Sequence, residues 1–201
     1  MHDITGVVLA GGRGLRMDGH DKGLMKFNGR PLVAHVIERV RPQVGAMAIN
    51  ANRNLEDYRE FGLPVWTDML DDHQGPLAGF ATALAHATTP WILIVPCDSP
   101  FIPVDLVDRL GQAAVSDGAG IAVVATDGKL QPVFTLVHHR VAESLKAFLA
   151  RGDRKIALWL ASQHAVRVDC TDIAEAFTNI NTVADLEHAA AALPDTGAPP
   201  A

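Results

Sequence analysis

Between Ala10 and Leu24 the chain carries the residue types that handle phosphate groups. Gly11, Gly12 and Gly14 let the backbone come close to an anion, so several amide N–H groups can point at phosphate oxygens. Arg13, Arg16 and Lys22 add positive charge to the same stretch. Arginine suits bidentate phosphate contact, and lysine supplies a point charge. Two familiar motifs are excluded. A P-loop closes its glycine run with Gly-Lys-Ser or Gly-Lys-Thr, which Gly11-Gly-Arg-Gly-Leu-Arg-Met17 lacks. A dinucleotide fingerprint begun at Gly12-Arg-Gly14 would need a glycine where Met17 stands.

Asp98 is the best metal candidate. A carboxylate at the end of an apolar run, facing a triphosphate, can hold Mg²⁺ with waters and phosphate oxygens completing the shell. Its competing role is a turn or capping aspartate ahead of Pro100 and Pro103. Asp68 is a candidate second anchor for nucleotide or metal, whereas Asp71 and Asp72 read equally well as solvated loop charges. The nine histidines show no HxH or HExxH spacing, and His138-His139 reads as a polar strand end. Cys97 lies beside Asp98, but no histidine is placed by sequence to activate it, so it reads as a small buried residue. Trp66, Trp91 and Trp159 read as core.

These residues need a scaffold, and the apolar pattern supplies one. Ile4–Ala10, Val44–Asn50, Val65–Thr67 and Trp91–Val95 read as strands. Helices are expected from Pro31, with Leu32, Val33, Val36, Ile37 and Val40 as the apolar stripe, then at Leu55–Phe61, Pro76–Ala87 and Val104–Val115. Alternation of strand and helix argues for a parallel sheet with helices on both faces. The pattern then changes. Ile121–Thr126 and Leu130–His138 are joined through Asp127-Gly128, a strong hairpin signal, so an antiparallel addition is expected. Helices at Val141–Ala150 and Ile156–Ala161, a strand at Ala165–Val168 and a last helix capped by Thr182 follow. The expected fold is therefore α/β: a Rossmann-like three-layer sandwich with a mostly parallel sheet and an antiparallel addition.

Placement of the polar residues on this scaffold is informative. The four parallel strands run into Gly11, Asn50, Asp68 and Asp98 respectively. Ligands of open α/β sheets bind outside the carboxyl ends of the strands, so these four residues should converge on one crevice. Each taken alone is also ordinary turn chemistry.

Composition narrows the partners. Hydrophobic residues make up 48% and charged residues 20% of the 201 residues, an ordinary globular balance. The net charge is −6 and basic residues form no broad face, so a small phosphorylated ligand fits better than a nucleic acid. Two cysteines without a CxxC pair point to reduced thiols and a cytoplasmic setting. No secretion signal or membrane-length apolar run is read. One domain over residues 1–193 and a disordered Pro/Gly/Ala-rich tail at 194–201 are expected, in a monomer.

Taken in order, several segments resemble a known family. Leu9-Ala-Gly-Gly-Arg-Gly-Leu-Arg-Met17, Asp21-Lys-Gly-Leu24 and Asn28-Gly-Arg-Pro-Leu32 are similar to the signature of nucleotidyltransferases that activate sugars and cofactors. With Asn50-Ala-Asn-Arg53, Gly75-Pro-Leu-Ala-Gly79, Pro96-Cys-Asp98 and Asn179-Ile-Asn-Thr182, the chain resembles the molybdenum cofactor guanylyltransferases over residues 4–188. The resemblance implies a nucleotide-diphospho-sugar-transferase-like fold. It implies that Leu9, Ala10, Gly11 and Gly12 contact GTP, largely through backbone, and that Lys22 binds phosphate. Asn50 and Asp68 would hold the GTP moiety, Asp98 would ligate Mg²⁺, and Asn179 and Asn181 would face the molybdopterin. Arg16, Lys22 and Asp98 are the implied catalytic set. Gly14 departs from the Ser or Ala usual in the family, which removes a possible hydroxyl contact. The implied reaction is attack by the terminal phosphate of Mo-molybdopterin on the α-phosphorus of GTP, with release of pyrophosphate. Cofactor insertion and delivery proteins are the expected further partners. Rival readings are a cytidylyl- or sugar-phosphate nucleotidyltransferase, and a non-catalytic GTP- and pterin-binding delivery module.

Overall fold

Apolar runs in the sequence become the strands of one seven-stranded sheet in a computed structural model that describes residues 3–10, 21–69, 75–180 and 185. Strand β1 (Ile4–Leu9) leads to a two-residue hairpin, β2 (Lys26–Phe27) and β3 (Arg30–Pro31), and then helix α1 (Leu32–Val40). There follow β4 (Ala46–Asn50), α2 (Leu55–Arg59), β5 (Val65–Trp66), α3 (Pro76–His86), β6 (Trp91–Pro96) and α4 (Leu106–Ser116). The second half is β7 (Ile121–Thr126), β8 (Lys129–His138), α5 (Ala142–Ala150), α6 (Ile156–Ser162) and β9 (Val166–Asp169). Strand order across the sheet is β5-β4-β1-β6-β8-β7-β9.

The chain builds outward from β1 through β4 to β5, then returns to place β6 on the other side of β1. That reversal makes the β1/β6 edge a topological switch point, where an open sheet leaves a crevice at its carboxyl ends. The register aligns the relevant ends: Leu9 pairs with both Asn50 and Pro96.

Helical periodicity decides which faces are buried. α1 buries Leu32, Val33, Val36, Ile37 and Val40, the stripe read from sequence. With Leu106, Val107 and Leu110 of α4 and Tyr58 of α2 it covers one face of the sheet. Leu77, Phe80 and Leu84 of α3, Leu145 and Phe148 of α5, and Trp159 and Leu160 of α6 cover the other. The three layers follow from two apolar faces that each need a cover.

The antiparallel addition is present, with a refinement. The second strand of the hairpin, β8, lies between β6 and β7 and runs against both, while β9 pairs in parallel with the far side of β7, so β7 is interior and fully buried. Asp127 (φ 49°) and Gly128 (φ 73°) make its turn with both central residues left-handed, as expected for Asp-Gly. The register jumps so that Val123 faces Thr135 and Val124 faces Gln131. The skipped stretch begins at Pro132, which has no N–H to donate to a ladder.

Three expectations need correction. Pro31 does not begin the helix; it occupies the capping position in extended geometry (φ −56°, ψ 144°) and pairs with Lys26 across the turn at Asn28-Gly29. Trp66 and Trp91 are only partly buried, each against a histidine ring (His86 and His138), and only Trp159 is core. A 3₁₀ stretch, Thr171–Phe177, follows β9 where no element was expected. The helix cap at Thr182 and the tail from residue 194 lie outside the described residues.

Candidate active site

At the switch point the backbone of Leu9-Ala10 is held from both sides. Ala10 N–H donates to Asn50 O (2.8 Å), and Cys97 N–H donates to Leu9 O (3.1 Å). The carboxyl ends of β4 and β6 are thereby tied to the start of the glycine-rich stretch. Residues 11–20, including Gly11, Gly12 and Arg16, lie outside the described residues, as does Asn181.

On the β4 side Asn50 is 2% exposed. Its amide Nδ2 donates to Trp66 O (3.1 Å) and to Asp68 Oδ1 (3.0 Å). Asn52 Nδ2 donates to the other carboxylate oxygen of Asp68 (2.7 Å), while Asp68 N–H donates back to Asn52 Oδ1 (2.8 Å). Two amides thus orient Asp68, whose ionised carboxylate has about four acceptor sites. A carboxylate accepts only, so its remaining sites can take donors from solvent or from a ligand. The first turn of α3 abuts this group: a Cβ on Gly79 would lie 2.7 Å from Asn50 Oδ1 and 2.8 Å from Leu9 Cδ2.

On the β6 side Lys22 Nζ donates to Asp98 Oδ2 at 3.2 Å, with the two side chains 26% and 12% exposed. Burial pushes the Asp98 carboxyl above its usual range, and the Lys22 ammonium pulls the other way. Ile180 N–H donates to Asp98 O (2.8 Å), and Ser99 Oγ donates to Asn179 Oδ1 (2.7 Å). Asn179 is therefore brought to the Asp98 end of the crevice from eighty residues away. Part of its acceptor capacity is already committed to Ser99. Ile180 is buried against Phe27 and Leu32, as its apolar character requires. Burial likewise raises the Cys97 thiol well above its ordinary range, which disfavours the reactive thiolate.

Leu9, Ala10, Lys22, Asn50, Asp68, Asp98 and Asn179 all lie along this edge, and Asp98 serves no helix cap. In the sequence, Asn52 and Asp21 fall within family-like segments but carried no assigned role, and Ser99 went unread. Asn52 follows Asn50 by two residues and Asp21 precedes Lys22, so adjacency was the available signal. The Asp21 side chain is 5% exposed and accepts from Gly23 N–H, Asn54 Nδ2 and Tyr58 Oη. Among the described residues no three His, Cys, Asp or Glu side chains form a metal cage. A single buried carboxylate fits the mode in which Mg²⁺ takes one or two protein carboxylates and completes its shell with phosphate oxygens and water.

The arrangement can position a nucleoside at one end and neutralise phosphates at the other. The chain is similar to known proteins. Residues 6–168 match the MobA-like NTP transferase domain. A molybdenum cofactor guanylyltransferase from Acidovorax sp. (strain JS42) is 51% identical, covering 92% of this chain and 94% of that protein. One from Bordetella pertussis (strain Tohama I) is 49% identical, covering 93% and 96%. The crystal structure of molybdopterin-guanine dinucleotide biosynthesis protein A from Archaeoglobus fulgidus superposes with a TM-score of 0.75 at 23% identity, over 93% of this chain and 97% of that one. That likeness bears on fold, and it agrees with the nucleotide-diphospho-sugar-transferase-like sandwich expected from sequence. On these grounds the chain belongs to the MobA-like NTP transferases, a family of nucleotidyltransferases in which its curated relatives are molybdenum cofactor guanylyltransferases.

Proposed function

We propose that the chain transfers GMP from GTP to the terminal phosphate of Mo-molybdopterin, with Asp98 as the carboxylate that holds Mg²⁺. The observation that carries this reading is the Lys22–Asp98 pair, 3.2 Å apart at the switch point beside Leu9-Ala10. A buried carboxylate and a partly buried lysine meet where a triphosphate would lie, and each is complementary to one component of a metal–nucleotide. Bound Mg²⁺ would supply charge neutralisation to the phosphates.

In this reading Lys22 binds phosphate oxygens, and Asp68, oriented by Asn50 and Asn52, accepts from the nucleoside. Gly11, Gly12 and Arg16 complete the phosphate site, and Asn179 and Asn181 face the pterin. The acceptor phosphate oxygen attacks the α-phosphorus in line, and the bond to the β-phosphate breaks to release pyrophosphate. Catalysis is then positioning and electrostatic stabilisation, with no covalent enzyme intermediate. No helix among the described residues is long and apolar enough to cross a membrane. With the proposal go a cytoplasmic setting, a monomeric state and hand-over of the product to delivery proteins.

Thermal unfolding with Mg²⁺ tests the nucleotide, since selective binding to the folded state raises its midpoint. GTP should raise it more than CTP, UTP or ATP at equal concentration. A larger response to CTP would remove the guanylyl assignment. Binding of GTP with no metal-dependent pyrophosphate release in the presence of molybdopterin would make the chain a carrier.

A further inference from the structure

Asp21 is more heavily engaged than a turn requires. It precedes the short 3₁₀ turn Lys22–Leu24, and capping that turn takes one bond, Gly23 N–H to Asp21 Oδ1 (3.1 Å). The same oxygen also accepts from Tyr58 Oη (2.6 Å). The other oxygen accepts from Asn54 Nδ2 (3.0 Å), with Arg53 Nε at 3.7 Å. The added donors all come from one segment, residues 53–58, which runs from the β4–α2 connection into α2. A carboxyl side chain with 5% exposure is costly to bury without hydrogen-bond partners, and these groups supply them.

Local sequence is shaped to permit the contact. Tyr58 is fully buried, and burial raises its hydroxyl well above the ordinary range, so it stays a donor. A Cβ on Gly23 would stand 2.5 Å from the Tyr58 hydroxyl oxygen, so a glycine there lets the hydroxyl through. Asn54 holds a left-handed conformation (φ 51°), which asparagine tolerates better than most residues. Residue 10 is tied to the end of β4, from which that segment continues, through Ala10 N–H to Asn50 O (2.8 Å). Both flanks of the stretch 11–20 are thus fastened to one support, which also carries Asn50 and Asn52.

We infer that Asp21 is the positioning residue for Lys22: gripped by Tyr58, Asn54 and Gly23 N–H, its carboxylate sets the turn from which Lys22 reaches the phosphate site opposite Asp98. This deepens the proposed function and rests on its placing Lys22 at the phosphates. A residue that acts through Lys22 has no effect on a ligand without phosphate, and none where Lys22 is absent.

The test uses Tyr58→Phe and Asn54→Gly in the full chain, each removing one donor to Asp21 while keeping the ring or the left-handed backbone. Affinities for GTP and for guanosine are measured by competition, alone and in a Lys22→Ala background. Each variant should weaken GTP by roughly 10-fold, the scale of one hydrogen bond to a charged group, and leave guanosine within about 2-fold. In the Lys22→Ala background Tyr58→Phe should cost less than about 2-fold further, because partners in one device are not additive. Full additivity, or an unchanged ratio of GTP to guanosine affinity in folded variants, would overturn the inference and leave Asp21 a folding contact. The guanylyl reading fails separately, if the unsubstituted protein prefers CTP. The triphosphate-to-nucleoside ratio of the preferred nucleotide then scores Asp21 in the same way.

Discussion

Replacing Gly79 by alanine pits a local preference against a tertiary contact, and the structure decides the sign. Gly79 lies inside α3, where Gly→Ala ordinarily stabilises a helix by about 0.8–1.0 kcal/mol. Here the added methyl would lie 2.7 Å from Asn50 Oδ1 and 2.8 Å from Leu9 Cδ2, both too short. The tip of Leu9 can rotate away. Asn50 cannot move without loosening its bonds to Trp66 O and Asp68 Oδ1, and overpacking of this kind costs about 1–3 kcal/mol. The net is a loss of up to about 2 kcal/mol, or an unfolding midpoint lower by up to roughly 8 °C in a domain of this size. Because the displaced amide orients Asp68, nucleoside affinity should fall as well. In an Asn50→Ala background the obstruction is gone, and the same glycine replacement should raise the midpoint by roughly 2–4 °C. Thermal unfolding and guanosine competition on the four proteins of this cycle measure both effects. A higher midpoint with intact nucleoside affinity for Gly79→Ala alone would refute the close approach of α3 to the end of β4.

Asp98→Asn should abolish turnover yet raise the unfolding midpoint at neutral pH. Burial raises the folded-state pKa of Asp98. The folded protein therefore holds that proton more tightly, and stability present below the unfolded value near 3.8 is lost as pH rises through the folded one. The advantage of the asparagine variant should accordingly shrink as pH is lowered through that window, and an advantage that does not vary with pH would contradict the burial of the charge. Lys22→Ala should lower turnover by roughly 10²–10³-fold, the scale of losing one preorganised charge-stabilising donor, and near-normal single-turnover rates in that variant would remove Lys22 from the phosphate site.

Much of the scaffold was legible because its signals are local. Four apolar runs gave four parallel strands, and the stripe from Leu32 to Val40 gave the buried face of α1. Asp127-Gly128 marked its turn because two successive left-handed residues favour that pair. Knowing that strands run into Asn50, Asp68 and Asp98, and that open sheets bind ligands at such ends, sufficed to gather them along one edge. The hairpin at Asn28-Gly29 uses the same turn chemistry but went unread, since its flanking strands have only two residues each and show no alternation. Partial burial of Trp66 and Trp91 also escaped, because residue type fixes hydrophobicity but not the position of a strand or its end within the sheet.

What the sequence determined by itself was the chemical inventory and its order: a glycine-rich cationic stretch, acids and amides after apolar runs, and a pattern of strand and helix that allows few topologies. Only the tertiary structure decided which of these groups meet. Insertion of β8 between β6 and β7 is a choice of partner, and strand pairing depends on register and on covers supplied by distant helices. The meetings of Ser99 with Asn179, of Asp68 with Asn50 and Asn52, and of Asp21 with Asn54 and Tyr58 join residues 16 to 80 positions apart. Hydrogen bonds act over about 3 Å, whereas sequence patterns register only periodicity along the chain, so contacts of this kind exist only once packing has brought the backbone segments together.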